Sequence, residues 1–80
     1  MLDKASYTPL YIQVREYILN RIRMGDYKAG DRLPTEKELM EQLQVGRATV
    51  RAALNELEHE GQVEKRHGIG TFVKEPKREL

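Results

Sequence analysis

The chain has 80 residues, which is the length of one domain with a small core and excludes a multidomain enzyme. It contains no cysteine, which excludes disulfides, thiolate nucleophiles and cysteine zinc sites and indicates a reducing compartment, by default the cytoplasm. Hydrophobic residues make up 39% of the chain, enough for one core but not for a membrane span. The 14 basic and 13 acidic residues give a net charge of +1, so a polyanionic partner would need positive charge arranged locally.

The first predicted element is a helix from Pro9 to Met24. Proline is favourable in a first helical turn, and Gly25 follows the last periodic residue. Ile12 and Leu19 lie opposite the main apolar stripe, which predicts a helix packed on two sides. That stripe has helical spacing and consists of Leu10, Val14, Tyr17, Ile18 and Ile22.

Two further helices are predicted, joined by a tight turn. Residues 31–33 are a short extended piece, and Thr35 and Glu38 have the spacing of a capping box that starts the second helix. The third helix runs from about Arg47 to Glu60, with Gly46 as its N-cap. Two helices separated by a short glycine-containing turn indicate a helix-turn-helix.

After Gly61 the pattern becomes extended. Two short runs, 62–66 and 71–74, flank a glycine-containing tip and predict a β-hairpin that pairs with residues 31–33. The predicted fold is α+β and mostly helical: a winged helix-turn-helix with three helices and a small antiparallel sheet that includes a C-terminal hairpin wing. Residues 1–74 form this domain, and the charged, proline-containing stretch 75–80 is expected to begin a linker to a further domain.

The outward face of the third helix is unusual for a solvated surface. Its buried stripe would be Val50, Ala53, Leu54 and Leu57. The stretch 44–54 has two arginines and no acid, whereas Glu56, Glu58 and Glu60 make the other end negative. A recognition helix inserts its amino-terminal end into the major groove, so this polarity suits DNA better than the alternative of a merely solvated helix. The outward residues are Ala48, Arg51, Ala52 and Asn55, flanked by Arg47 and Thr49.

Several of these side chains have the chemistry of DNA contacts. Arg51 can pair with guanine O6 and N7 or hold a phosphate, and the sequence does not choose between them. Thr49 can donate to a phosphate or place its methyl group against thymine, and Asn55 has the chemistry to read adenine. Arg32 and Lys37 are predicted to reach backbone phosphates.

The hairpin tip is the other candidate contact. Lys65, Arg66 and His67 form a basic flank that leads into Gly68, Ile69 and Gly70. Such a tip can enter a minor groove or contact phosphates through its backbone amides. Alternatively, both glycines serve only the turn geometry.

Four stretches of the chain together resemble the GntR family of bacterial transcription regulators, whose DNA-binding module is a winged helix. They are residues 9–11 (PLY), 33–39 (LPTEKEL), 47–54 (RATVRAAL) and 68–73 (GIGTFV), and their order and spacing cover essentially the whole chain.

The resemblance implies roles for individual residues. It implies that Arg47, Thr49 and Arg51 contact the operator, that Lys37 binds a phosphate and that Gly68 approaches the minor groove. The linker is most similar to the HutC branch, which implies an absent domain that binds a small-molecule effector and dimerises, and a homodimer on a palindromic operator. Two positions depart from the family pattern: Gly46 replaces a capping serine and Ile69 replaces a basic wing residue.

Other function classes are less favoured. His59 and His67 have no partner constellation for catalysis, and neither a metal-ligand spacing nor a cofactor motif occurs, so no enzyme, metal or cofactor is expected. An enzymatic function would depend on a missing aminotransferase-like domain. The resemblance attributes such a domain to another branch of the family. A winged helix that binds protein or RNA is the remaining alternative, although a protein-binding helix would present larger apolar residues than Ala48 and Ala52.

Overall fold

A computed structural model describes residues 2–75, which form three α-helices and a two-stranded antiparallel sheet. The elements in chain order are α1 (Leu10–Arg23), α2 (Glu36–Leu43), α3 (Arg47–His59), β1 (Val63–Arg66) and β2 (Gly70–Val73). The winged helix-turn-helix prediction is confirmed, with ends that match the predicted ones or differ from them by one residue. Beyond Glu75, the linker predicted for 75–80 lies outside the described residues. None of the helices within 2–75 has the length and apolarity to cross a bilayer.

The start of α2 is fixed by the predicted capping box. The Thr35 hydroxyl accepts a hydrogen bond from the Glu38 amide at 3.1 Å, and the Thr35 amide donates to Glu38 Oε1 at 2.9 Å. The hydrogen bond from the Thr35 amide, together with the nearby Thr35 side chain, lowers the pKa of the Glu38 carboxyl. At the other end, Gln44 adopts a left-handed conformation with φ of 56°, and Gly46 already caps α3. The turn between the two helices therefore occupies only residues 44–46.

The core lies where α1 and α2 pack against α3. The predicted stripe of α3 is completely enclosed, since none of its four residues is more than 2% exposed. On the second face of α1, Leu19 is buried and Ile12 is half-buried, which confirms that this helix is covered on more than one side. The buried residues of the core are Val14, Ile18, Leu19, Leu33, Leu39, Leu43, Val45, Val50, Ala53, Leu54, Leu57, Val63 and Val73.

The hairpin is attached to the helices through the extended piece at residues 31–33. In the β1–β2 ladder Val63 pairs with Val73 and Arg66 with Gly70. Arg32 forms a bridge opposite Phe72 on the free side of β2, as the sequence predicted. The Leu33 amide donates to the Thr71 carbonyl at 2.8 Å, and the Val73 amide donates to the Asp31 carbonyl at 2.8 Å. Because β2 is held on both sides, the wing has a fixed position relative to α2.

An ion pair joins α1 to the end of α3. Arg15 Nε donates to Glu60 Oε1 at 2.7 Å, and Arg15 Nη2 contacts the second carboxylate oxygen. The hydrogen bonds from Arg15 lower the pKa of Glu60 below its ordinary value of 4.5. The stability that this charge contributes is therefore present above pH 4.5 and is lost as the pH falls through the lower pKa of the folded state.

We expect Glu60→Gln to destabilise the domain at neutral pH by about 0.5 kcal/mol, because the pair is only partly shielded from water. The difference from the unsubstituted protein should shrink as the pH is lowered below 4.5, measured by urea unfolding over a pH series. Glu41→Gln, at an exposed position of α2, serves as the control for simple charge removal. A Glu60→Gln difference that does not change with pH would contradict this account of the pair.

Candidate nucleic-acid interface

The amino-terminal end of α3 presents a cationic face to solvent. Arg47, Ala48 and Arg51 are exposed and Thr49 is half-buried, because the enclosed stripe occupies the opposite side of the helix. Gly46 provides no side-chain cap, and the first turn contains no acid. The free amides and the positive end of the helix dipole are therefore accessible to an anion.

A carboxylate on α2 holds the guanidinium of Arg51. Arg51 Nε donates to Glu36 Oε1 at 3.1 Å and to Glu36 Oε2 at 3.0 Å. The two terminal nitrogens of Arg51 have no hydrogen-bond partner among residues 2–75, and its side chain is 57% exposed. Glu36 thus restricts the orientation of the guanidinium. It leaves free the two terminal nitrogens, which can make a bidentate contact with another group.

Sequence reasoning missed the contact between Glu36 and Arg51. The two partners are 15 residues apart on different helices, so no periodic pattern connects them. An acid in the first turn of a helix is already explained by its favourable interaction with the helix dipole. Its presence at position 36 therefore gives no indication of a contact with Arg51. Predicting this pair would have required the packing angle between α2 and α3, which a sequence pattern does not give.

Lys37 and Arg47 lie in the first turns of α2 and α3. Both are exposed, and neither takes part in an ion pair within the described part of the chain. Lys37 follows Glu36 in the first turn of α2, and Arg47 begins α3 one turn before Arg51. These two cations can neutralise phosphates without first breaking an internal ion pair.

The basic flank of the wing is bound to the domain itself. The Lys65 ammonium donates to Asn55 Oδ1, and the Lys65 amide donates to Glu58 Oε2 at 3.3 Å. Asn55, which has the chemistry to read adenine, therefore serves in this structure as an anchor for β1. Arg66 lies over the Phe72 ring, 4.6 Å from its centroid.

Gly70 has a backbone conformation that favours glycine, and it lies close to the flexible side chain of Arg32. Gly70 has φ of 147°, and a Cβ added at this position would lie 2.9 Å from Arg32 Nε. Gly68 has φ of 74° but would meet nothing within 4 Å. Glycine therefore fits the two positions for partly different reasons. Gly68 provides the backbone conformation of the turn, and Gly70 does so while also leaving room for Arg32.

The wing and the start of α2 enclose an open cleft of about 410 Å³. Exposed His67 and Gly68 at the tip of the wing line it, as does Arg32. Glu36 also lines the cleft and connects it to Arg51 on α3. One side of the domain thus carries this cleft, with Arg32 and the predicted contact residues of the wing, and is joined through Glu36 to Arg51. We call this side the cationic face; its predicted members are Arg32, Lys37, Arg47, Ala48, Thr49, Arg51, Lys65, Arg66, His67, Gly68 and Gly70.

A second open cavity, of about 780 Å³, lies at the carboxyl ends of α1 and α3. Gly25, Tyr27, His59 and Gly61 are among the residues that line it, and it shares no residue with the cationic face. Burial raises the pKa of the Tyr27 phenol. Within residues 2–75, no three histidine or acidic side chains are grouped closely enough to hold a metal ion.

The description "Bacterial regulatory proteins, gntR family" belongs to the family model that matches residues 10–73 of the chain. The chain is 48% identical to the uncharacterized HTH-type transcriptional regulator YurK of Bacillus subtilis, over 96% of this chain and 32% of that protein. It is 46% identical to the arabinose metabolism transcriptional repressor of Geobacillus stearothermophilus, over 92% of this chain and 20% of that protein. The chain therefore spans about a third or less of the curated relatives it matches.

Solved structures include domains of the same shape. The crystal structure of AraR(DBD) in complex with operator ORX1 superposes with a TM-score of 0.84 and 37% identity, covering 91% of this chain and 90% of that chain. YtrA from Sulfolobus acidocaldarius, described as a GntR-family transcription factor, superposes with a TM-score of 0.87 and 35% identity. That match covers 96% of this chain and 81% of that chain.

We expect Gly70→Ala to destabilise the domain by about 1–3 kcal/mol, chiefly because alanine is strained at its φ of 147°, while the contact with the flexible end of Arg32 adds less. Gly68→Ala should cost less, since only the backbone conformation opposes it. Because the end of the Arg32 side chain can shift, combining Gly70→Ala with Arg32→Ala should recover only a small part of the loss. Urea unfolding of Gly70→Ala, Gly68→Ala, Arg32→Ala and the double variant measures this coupling, and recovery of most of the loss would contradict the role of the backbone.

Proposed function

Because the chain belongs to the gntR family of bacterial regulatory proteins, we propose that it reads operator DNA as the DNA-binding domain of a transcription regulator. The observation that carries this proposal is the arrangement of Arg51. Glu36 accepts hydrogen bonds from its Nε, and its two terminal nitrogens are open to solvent on the cationic face. This is the geometry that a bidentate contact to guanine or phosphate needs.

In the proposed complex, the amino-terminal half of α3 enters the major groove. Ala48 is small and exposed, so it allows the helix backbone to approach the base edges while Arg51 reaches past it. Lys37 and Arg47 contact phosphates on either side, and Thr49 adds a hydroxyl donor or a methyl contact. The wing lies against the neighbouring minor groove, with the Gly68 and Gly70 backbone close to the DNA.

The acids of α3 support the same orientation. Glu58 accepts from the wing and Glu60 from Arg15, so both carboxylates are occupied at the end of the helix away from Arg47. A helix with this polarity is attracted to phosphates at its first turn and repelled by them at its last turn. The +1 net charge of the chain is therefore compatible with a polyanionic partner.

The relatives suggest the setting in which the domain works. Their names include repressors of arabinose metabolism and of histidine utilization, and this chain covers only 20% and 28% of those proteins. We propose that the full regulator is a cytoplasmic homodimer that binds a palindromic operator, with one copy of this domain on each half-site. A small-molecule effector bound by the remainder of the protein would release the DNA, so that the regulator represses genes for using a nutrient.

The test of DNA binding is a selection from a pool of random duplexes, followed by affinity measurements between about 50 and 200 mM salt. We expect one enriched sequence and a steep, linear fall of log K with log salt. Lys37→Ala and Arg47→Ala should each reduce the slope by about one, as for single phosphate contacts. Lys28→Ala, beside the second cavity, is the matched control and should leave the slope unchanged. Salt-independent binding, or no enrichment, would contradict the proposal.

Arg51→Ala should weaken binding to the selected duplex by about 1–3 kcal/mol. If Arg51 reads guanine, the loss is confined to the selected sequence and discrimination relaxes at one base pair. If Arg51 holds a phosphate, the loss is equal on all duplexes. Arg51→Lys keeps the charge but not the planar fork, so it should rescue only the phosphate case. Unchanged affinity for every duplex would exclude Arg51 from the interface.

A further inference from the structure

The tip of the wing exposes a large apolar side chain. Ile69 is 57% exposed, and its amide donates to the Arg66 carbonyl at 3.0 Å to close the turn. Gly68 and Gly70 flank it, so no neighbouring side chain covers it along the chain. Turn tips usually carry glycine or short polar residues, because these are compatible with water and with the turn backbone. A branched apolar side chain here has no folding role among the core contacts.

Two of the cations near this tip have partners within the domain. The Lys65 ammonium is bound to Asn55, and Arg66 stacks on Phe72 with Nη2 3.5 Å from Glu64 Oε2. Arg32 lies against Gly70 and lines the same cleft as Ile69. Within the turn itself, residues 67–69, only His67 and Ile69 carry side chains, so Ile69 is the apolar group that the tip offers to a DNA groove.

An apolar side chain can distinguish base pairs in the minor groove because it cannot accept a hydrogen bond. Both types of base pair present acceptors there, and both lose water from them when a side chain covers the groove floor. Only G·C also presents the guanine N2 amino group, a donor that protrudes from the floor. Isoleucine has no acceptor for this donor, so a G·C pair leaves one additional polar group unpaired.

We propose that Ile69 is a specificity-determining residue that makes the wing select A·T over G·C base pairs in the minor groove beside each half-site. This inference rests on the proposed function, since it requires the wing to lie in that groove. The selection comes from exclusion of the guanine amino group rather than from charge. It is therefore independent of the salt-dependent phosphate contacts made by Lys37 and Arg47.

The test uses duplexes that share the selected half-site and differ only in the flanking base pairs under the wing: A·T, G·C or inosine·cytosine. Inosine·cytosine keeps the other groove atoms of G·C but lacks the N2 amino group. We expect the A·T and inosine·cytosine duplexes to bind equally, and about tenfold more tightly than the G·C duplex. Ile69→Gln supplies an acceptor for the amino group and should reduce this ratio to about one. Met24→Ala, at another exposed apolar side chain, should leave the ratio unchanged.

The outcomes separate this inference from the proposed function. Equal affinity for A·T and G·C flanks, with the half-site still bound, overturns the role of Ile69 alone. Weak binding of inosine·cytosine shows that the guanine amino group is not the cause of the preference and also overturns the role of Ile69, as does an Ile69→Gln variant that keeps the preference. A domain that enriches no duplex at all contradicts the proposed function instead. Because Ile69 is outside the core, a thermal melt of each variant should confirm an unchanged fold.

Discussion

The burial of one stripe of α3 is the constraint on which the rest of the structure depends. Val50, Ala53 and Leu57 are completely enclosed and Leu54 is 2% exposed, so the helix cannot rotate without bringing a polar side chain into the core. A shift of one residue along a 3.6-residue period would turn the face by about 100°. The stripe therefore determines that Arg47, Ala48 and Arg51 face solvent together.

Local hydrogen bonds then attach the other parts of the cationic face to this helix. The Thr35 capping box fixes where α2 begins, and thereby places Glu36 against Arg51. The pairing of residues 31–33 with β2 fixes the wing, and the Lys65 contact to Asn55 holds β1 against α3. Three of the 13 acidic residues that reduce the net charge to +1 are engaged in internal contacts: Glu36 with Arg51, Glu58 with the Lys65 amide and Glu60 with Arg15.

Much of the fold could be predicted because its signals are local. The α3 stripe repeats at helical spacing, Thr35 and Glu38 are three residues apart, and the glycines mark the turns, so the helices, the turn and the hairpin follow from short windows of sequence. The contacts between Glu36 and Arg51 and between Asn55 and Lys65 could not be predicted in the same way. They depend on the packing angles between elements. They also depend on whether each side chain contacts solvent or one of several possible partners, and sequence spacing does not determine this.

The most direct test of the central claim is an NMR titration of the 15N-labelled domain with the selected duplex. The cationic face predicts that amide shifts concentrate at residues 47–51, at residues 36–37 and at the wing tip, residues 66–70. The amides of Gly25, Tyr27 and Gly61 around the second cavity should stay unchanged, because that cavity shares no residue with the face. Shifts centred on the second cavity, with residues 47–51 unaffected, would contradict the account.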